Sequence, residues 1–192
     1  MAAPEVVLGV TGGIAAYKAA DLCSRMVQAG TAVSVVLTGS AHQFIGPATF
    51  AALTNRPVHS QVFDTVEFPQ GPHIGLARRA DVLVIAPATA ATLARCAHGL
   101  ADDLLTTLYL AFSGPVLMAP AMNCEMWASQ AVQRNVNQLR SDGVEIVDPA
   151  EGWLSCGTIG AGRMADPGLI WDRVQDALRT QRRNKPRPPS PA

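Results

Sequence analysis

The chain of 192 residues is 48% apolar with a formal net charge of zero, long enough for one domain that buries roughly 70% of its unfolded surface. No stretch approaches the ~18 consecutive apolar residues of a membrane helix, and MAAPEVVLGVTGG enters a predicted core strand without the basic and apolar segments of a secretory signal, so a cytoplasmic protein with no membrane partner is expected. All 15 acidic residues precede position 179, whereas Arg179, Arg182, Arg183, Lys185 and Arg187 supply five of the 15 basic ones; the body is left at minus five, which argues against a nucleic-acid partner.

The first predicted strand, Val6 to Val10, passes through Thr11-Gly12-Gly13 into an Ala-rich helix, Ile14 to Ala29, closed by Gly30. Free N–H groups and the helix dipole at such a turn favour an anion, with phosphate the natural guest. Neither nucleotide fingerprint is met: glycines at 9, 12 and 13 do not spell G-x-G-x-x-G, and Tyr17 stands where a P-loop needs glycine before Lys18. After the second strand, Val33 to Leu37, come Thr38, Gly39 and Ser40, where a dinucleotide enzyme would offer an acid to a ribose. Hydroxyls there suit another face of one phosphate, and a mononucleotide cofactor fits better than NAD.

Helices are predicted at Ala48 to Leu53 and Ile74 to Arg79, then a strand at Val82 to Ala86 that ends in PATAAT and a helix at Ala90 to Ala97. Further on, the pattern reads as helix Asp102 to Phe112, strand Val116 to Ala119, helix Met126 to Arg140, strand Val144 to Val147, and a last helix from Pro167 to about Arg179. Crossovers of this length require parallel strands. The expected fold is a single α/β domain over residues 1–180, a doubly wound, flavodoxin-like or Rossmann-like parallel sheet with helices on both faces. Residues 181–192 read as a disordered basic, Pro-rich tail. Cys23, Cys96, Cys124 and Cys156 lie far apart without a C-x-x-C pair, so neither a disulfide framework nor a metal site is indicated. The first three, with His98, read as structural.

Every candidate motif falls beyond the carboxyl end of a strand, where such sheets bind ligands. PAMNCEMW (Pro120 to Trp127) puts the primary amide of Asn123 at a strand-to-helix turn, with Met126 and Trp127 as packing around it. GWLSCGTIGAGRM (Gly152 to Met164) sets the thiol of Cys156 among glycines. So many glycines do not suit a packed core; a flap that closes over substrate is the better reading.

Four segments carry a resemblance: GGIAAYK, the stretch from His73 to Thr107, PAMNCEMW, and the Cys156 loop ending in GRM. From about Val6 to Arg179 the chain resembles the flavin-dependent cysteine decarboxylases, on the branch that serves coenzyme A synthesis. The resemblance implies FMN across the strand ends. Gly12, Gly13, Ile14, Ala15, Thr38 and Ser40 would hold its phosphate and ribityl end, and Thr89, Ala90, Ala91, Thr92 and Ala121 would lie nearer the ring. Ala91 stands where the family often shows Asn. By the same resemblance His73 is the active-site base, Asn123 holds the substrate carboxylate and Cys156 is the proton donor. Ser155, Arg163 and Met164 would contact substrate, Arg163 as a phosphate partner. Homotrimers, or dodecamers built from trimers, with FMN at subunit contacts, are also implied.

The implied reaction converts 4'-phospho-N-pantothenoylcysteine to 4'-phosphopantetheine. Direct loss of CO2 from an N-acylcysteine leaves a carbanion with nowhere to delocalise. Prior oxidation of the thiol-bearing carbon to a thioaldehyde supplies the electron sink, and decarboxylation then gives an enethiolate that is reduced and protonated. Three rivals share parts of the pattern: a peptidyl-cysteine decarboxylase of a ribosomal peptide, a flavin prenyltransferase, and a non-catalytic FMN-binding regulatory subunit. The second lacks the PAMN and Cys-loop pair, and the third often loses the residues found here as His73, Asn123 and Cys156. Many bacterial relatives carry a C-terminal synthetase; with only a basic tail after Arg179, a stand-alone decarboxylase is expected.

Overall fold

The computed structural model describes residues 3–63, 67–153, 157 and 159–184. Its centre is β1 (Glu5–Val10), whose last five residues are all buried, as expected of a parallel strand covered on both faces. Alternation divides these side chains: Val6, Leu8 and Val10 join one core cluster and Val7 the other. Helix α1 (Ala16–Gln28) buries Ala16, Ala19, Leu22, Cys23 and Met26, a stripe at helical spacing. It ends in a Schellman turn, with Gly30 at φ +79° and bonds from Gly30 N to Val27 O (2.9 Å) and Thr31 N to Met26 O (3.0 Å).

The chain continues through β2 (Ala32–Leu37), α2 (Pro47–Thr54), the short β3 (Val58–His59), α3 (Pro72–Arg79), β4 (Val82–Ala88), α4 (Ala90–Ala97), α5 (Leu104–Ala111) and β5 (Val116–Pro120). Next come α6 (Cys124–Ala128), α7 (Gln130–Ser141), β6 (Glu145–Ile146), an antiparallel hairpin of β7 (Ala150–Trp153) and β8 (Ile159–Arg163), and α8 (Pro167–Asn184). Six strands form one parallel sheet in the order β3-β2-β1-β4-β5-β6. Helices α1, α2 and α8 pack on one face, and α3, α4, α5 and α7 on the other. The doubly wound α/β fold read from the sequence is therefore present. Its direction of winding reverses between β1 and β4, and the carboxyl ends of those two strands form the crevice where this architecture binds ligands.

Four details depart from the expected elements. Strand β3 and the β7–β8 hairpin are additional. The helix expected at Met126 to Arg140 is two, α6 and α7, broken at Ser129, whose ψ of +131° is not helical. Helix α8 runs to Asn184 rather than to about Arg179. No helix among the described residues is long and apolar enough to cross a membrane.

Candidate functional site

A cavity of about 520 Å³ opens at the β1–β4 crevice, within the roughly 300–1,000 Å³ usual for small-molecule sites. The Gly12–Gly13 turn and the first turn of α1 bound it on one side. Ala15 is the N-cap of α1 and no side chain caps it; the Ala16 and Lys18 amides donate to Gly13 O and Ala15 O at 2.9 Å, so the turn amides of Gly13, Ile14 and Ala15 are the ones turned to a ligand. Gly12 lies so close to the turn after β2 that a Cβ there would strike the Ser40 side chain and stand 2.9 Å from the Ser40 carbonyl carbon. The two turns meet only because position 12 has no side chain.

Ser40 lines the cavity, with its hydroxyl 3.2 Å from that of Thr38. Thr38 itself is buried and does not line it. On the facing wall Thr89 caps α4, accepting from Thr92 N at 3.3 Å, and the two hydroxyls are 3.0 Å apart. Thr92 is turned inward by this contact, while Thr89, Ala90 and Ala91 face the cavity. Ala121 does as well, tied to β4 by a bond from its N–H to Ala88 O at 3.1 Å.

Asn123 sits at the mouth as N-cap of α6, its Oδ1 accepting from Met126 N at 2.8 Å. Its Nδ2 donates to the Glu125 carboxylate in a short contact. The Glu125 backbone N–H, the Cys124 thiol and, less, the Asn123 amide hold the Glu125 carboxyl below the ordinary carboxylate range. Capping thus occupies the amide oxygen and Glu125 one N–H, and the second N–H of the NH₂ group is the part of Asn123 left to meet an anion.

The hairpin forms the remaining wall. Gly160 packs on Cys124, where a Cβ would come 2.9 Å from the Cys124 Cβ. Gly162, at φ +150°, has no room for a Cβ because of the Met122 carbonyl oxygen, and its own carbonyl accepts from Met122 N at 3.0 Å. Trp153, Arg163 and Met164 reach the cavity from this side. Ser155 and Cys156 lie outside the described residues.

Lys18, set aside by the P-loop test, is a lining residue the sequence reading missed. It is buried, and its Nζ donates to Met164 O at 2.9 Å. Burial and the nearby Arg163 push its pKa down, against an upward pull from Asp166. Among the described lining residues Lys18 and Arg163 are the only charged ones, and both are cationic. Tyr17, Met122, Met126, Trp153 and Gly162 were also missed; Met126 faces the cavity, while Trp127 packs against the α4–α7 face. The signal available was adjacency, since each lies within a segment already singled out. Cys23 and Cys96 are buried, and burial pushes each thiol up to about 12, in keeping with structural roles.

His73 is not brought to this cavity. It lies in the first turn of α3 with its ring against Gly71, and its Nδ1 is buried without a hydrogen-bond partner among the described residues. The turn before it is wedged by Phe68, which fills the place of a Cβ at Gly75, with the Arg79 guanidinium 4.8 Å from the ring centroid and the His59 ring edge-on at 5.4 Å.

A doubly wound sheet with a helix N-terminus that no side chain caps, a crowded glycine turn and a cavity whose charged groups, among the described residues, are cationic defines an α/β protein suited to hold an anionic small molecule in its switch-point crevice. More narrowly, the chain belongs to the Flavoprotein family, whose match covers residues 1–179. It is 46% identical over 166 residues to the coenzyme A biosynthesis bifunctional protein CoaBC of Bacillus subtilis, covering 86% of this chain and 41% of that protein. With CoaBC of Mycobacterium tuberculosis it shares 48% identity over 171 residues, 89% of this chain and 40% of the other. The chain thus spans about two-fifths of the length of these relatives. Among solved structures, the FMN-dependent cysteine decarboxylase SpaF matches with a TM-score of 0.83 and 35% identity, over 93% of this chain and 97% of that one. A mutant PPC decarboxylase complexed with pantothenoylaminoethenethiol matches with a TM-score of 0.82 and 33% identity, over 91% and 97%.

Proposed function

We propose that this chain is an FMN-dependent decarboxylase that converts 4'-phospho-N-pantothenoylcysteine to 4'-phosphopantetheine in coenzyme A synthesis, in the cytoplasm. The observation that carries the reading is that Asn123, the Gly12–Gly13 turn and the cations Lys18 and Arg163 line one cavity. Both CoaBC relatives and the PPC decarboxylase structure support it. The residues present fit FMN: free amides at Gly13, Ile14 and Ala15 and the Ser40 hydroxyl for the phosphate, and the small side chains of Ala90, Ala91 and Ala121 for a flat ring. When bound, FMN supplies a reversible two-electron acceptor for the thiol-bearing carbon of the substrate.

The chain's own residues then divide the remaining work. The Asn123 amide orients the substrate carboxylate without a positive charge that would hold back CO2. Arg163 and Lys18 attract the anionic substrate into the cleft. Cys156 delivers a proton to the decarboxylated carbon in the reductive step, and His73 accepts one in the oxidative step. Since His73 stands off the cavity of its own chain, we assign it to the site of a neighbouring copy in a homotrimer, or in a dodecamer built from trimers.

Mass spectrometry of products from this substrate and from a peptide with a C-terminal cysteine tests the reading against the peptidyl branch. The expected result is CO2 loss from the first alone; a protein that binds no added FMN and releases no CO2 overturns it. In Cys156→Ser, CO2 release is expected to continue while the oxidised enethiol accumulates, and normal formation of phosphopantetheine would remove Cys156 from the mechanism.

A further inference from the structure

The first residue past β1 is Thr11, whose side chain points away from solvent (1% exposed). Its hydroxyl donates to Pro87 O at 2.7 Å and accepts from Thr89 N at 3.1 Å, crossing from β1 to the turn before α4. The paired residues of β1 and β4 end at Gly9 and Ile85, and β4 shifts register against β5 between Ile85 and Ala88. Past that point the Thr11 hydroxyl continues the connection between the two strand ends. A hydroxyl donates and accepts at once, which no apolar side chain of this size can do. On the other flank, Gly12 presses on Ser40, and the Thr38 hydroxyl lies 3.2 Å from Ser40 Oγ and 3.5 Å from Val10 O.

We infer that Thr11 is a positioning residue: its hydroxyl sets the separation of the Gly12–Gly13 turn and the Thr89–Ala91 turn, and so sets the affinity of the flavin site. The last clause rests on the reading that FMN spans both turns. Thr11 does not line the cavity, so its effect on a ligand is transmitted through the two turns it joins. Valine keeps the volume and removes both bonds, leaving a buried carbonyl and N–H unpaired. Serine keeps the bonds.

The test has two readouts, amide hydrogen exchange of the flavin-free protein and FMN titration, both at a temperature where circular dichroism shows every variant folded. Thr11→Val is expected to speed exchange over residues 12–15 and 89–92 and to raise the Kd for FMN by roughly tenfold or more. Thr11→Ser should match the parent in both. Val136→Ala, in the buried face of α7, is the control for lost stability, and should leave the Kd for FMN unchanged. Unchanged exchange in Thr11→Val overturns the coupling whether or not flavin binds. Faster exchange with an unchanged Kd overturns its link to the cofactor. A parent chain with no affinity for FMN overturns the cofactor reading instead, and exchange alone then decides the coupling. Should Thr11→Val not fold, Thr11→Ala is read the same way.

Discussion

The β1–β4 side of the cavity is made of turns locked to buried strand ends, whereas the β7–β8 side is a hairpin that rests on α6 through missing side chains. Thr11, Thr38 and Thr92 are nearly inaccessible, each at 8% exposure or less, while Trp153 is 68% and Ile159 76% exposed. The first side keeps its shape by hydrogen bonds between turns far apart in sequence; the second keeps its place by close backbone approach at Gly160 and Gly162. A wall fixed in this way suits a cofactor that stays. A wall with exposed aromatic and aliphatic groups suits a substrate that arrives and leaves, so binding of the two ligands should be separable by mutation.

Asn123→Asp is expected to show the largest effect. Aspartate caps a helix as well as asparagine does, so α6 and the hairpin contact should persist. A carboxylate facing a carboxylate should lower turnover by ~100-fold or more, about 2.7 kcal/mol. CO2 release measured beside FMN titration checks this, and a parallel loss of FMN affinity would break the distinction between the two sides. Gly12→Ala should do the converse, because its Cβ meets the Ser40 backbone: FMN affinity falls by about 1–3 kcal/mol as the turns are pushed apart. Gly162→Ala should raise the substrate KM by roughly tenfold and lower kcat, with a smaller loss of FMN affinity than Gly12→Ala, since its Cβ would displace the PAMN turn at Met122, one residue from Ala121.

The smallest effect concerns Lys18. Its pKa is held below 10.5, chiefly by burial, so between its folded value and 10.5 the unfolded chain binds more protons than the folded one. Stability should therefore rise with pH across that window as the buried charge is relieved. Above the ordinary thiol pKa the raised Cys23 and Cys96 thiols pull stability the other way in both proteins, so the measure is the difference in urea midpoint between the parent and Lys18→Met, which should move in the parent's favour as pH rises through this window; Lys18→Met removes the ammonium and keeps most of the stem.

The sheet was legible because β1, β2, β4 and β5 are short, mostly apolar runs rich in Val, Leu and Ala and buried on both faces, and the segments between them carry helical period. Strand β3 pairs through two residues, Val58 and His59, too few for a periodic signal. The hairpin strands AEGW and IGAGR alternate no apolar residues toward a core; antiparallel pairing and contact with α6, not burial of a face, hold them. The break at Ser129 has no Gly or Pro to announce it. Within the site, the glycine turn, Thr89 and Asn123 were readable from their place at strand ends, and Ala121 through the resemblance. Lys18 was not, because its partner carbonyl lies at Met164, a contact that only the folded chain creates. His73 shows the converse limit: resemblance could name it, but its distance from the cavity emerges only from the packing of α3.

The position of β1 also bears on how the protein is made. Of the six strands of the sheet β1 is made first, yet it lies inside the sheet, with β2 on one edge and β4 on the other. Until residues 82–88 emerge, a strand that is apolar after Glu5 has one open edge, the condition under which nascent chains pair with the wrong partner. The cavity itself takes walls from Gly12 through Met164, so ligand capture has to wait until the hairpin has been made and has folded onto α6.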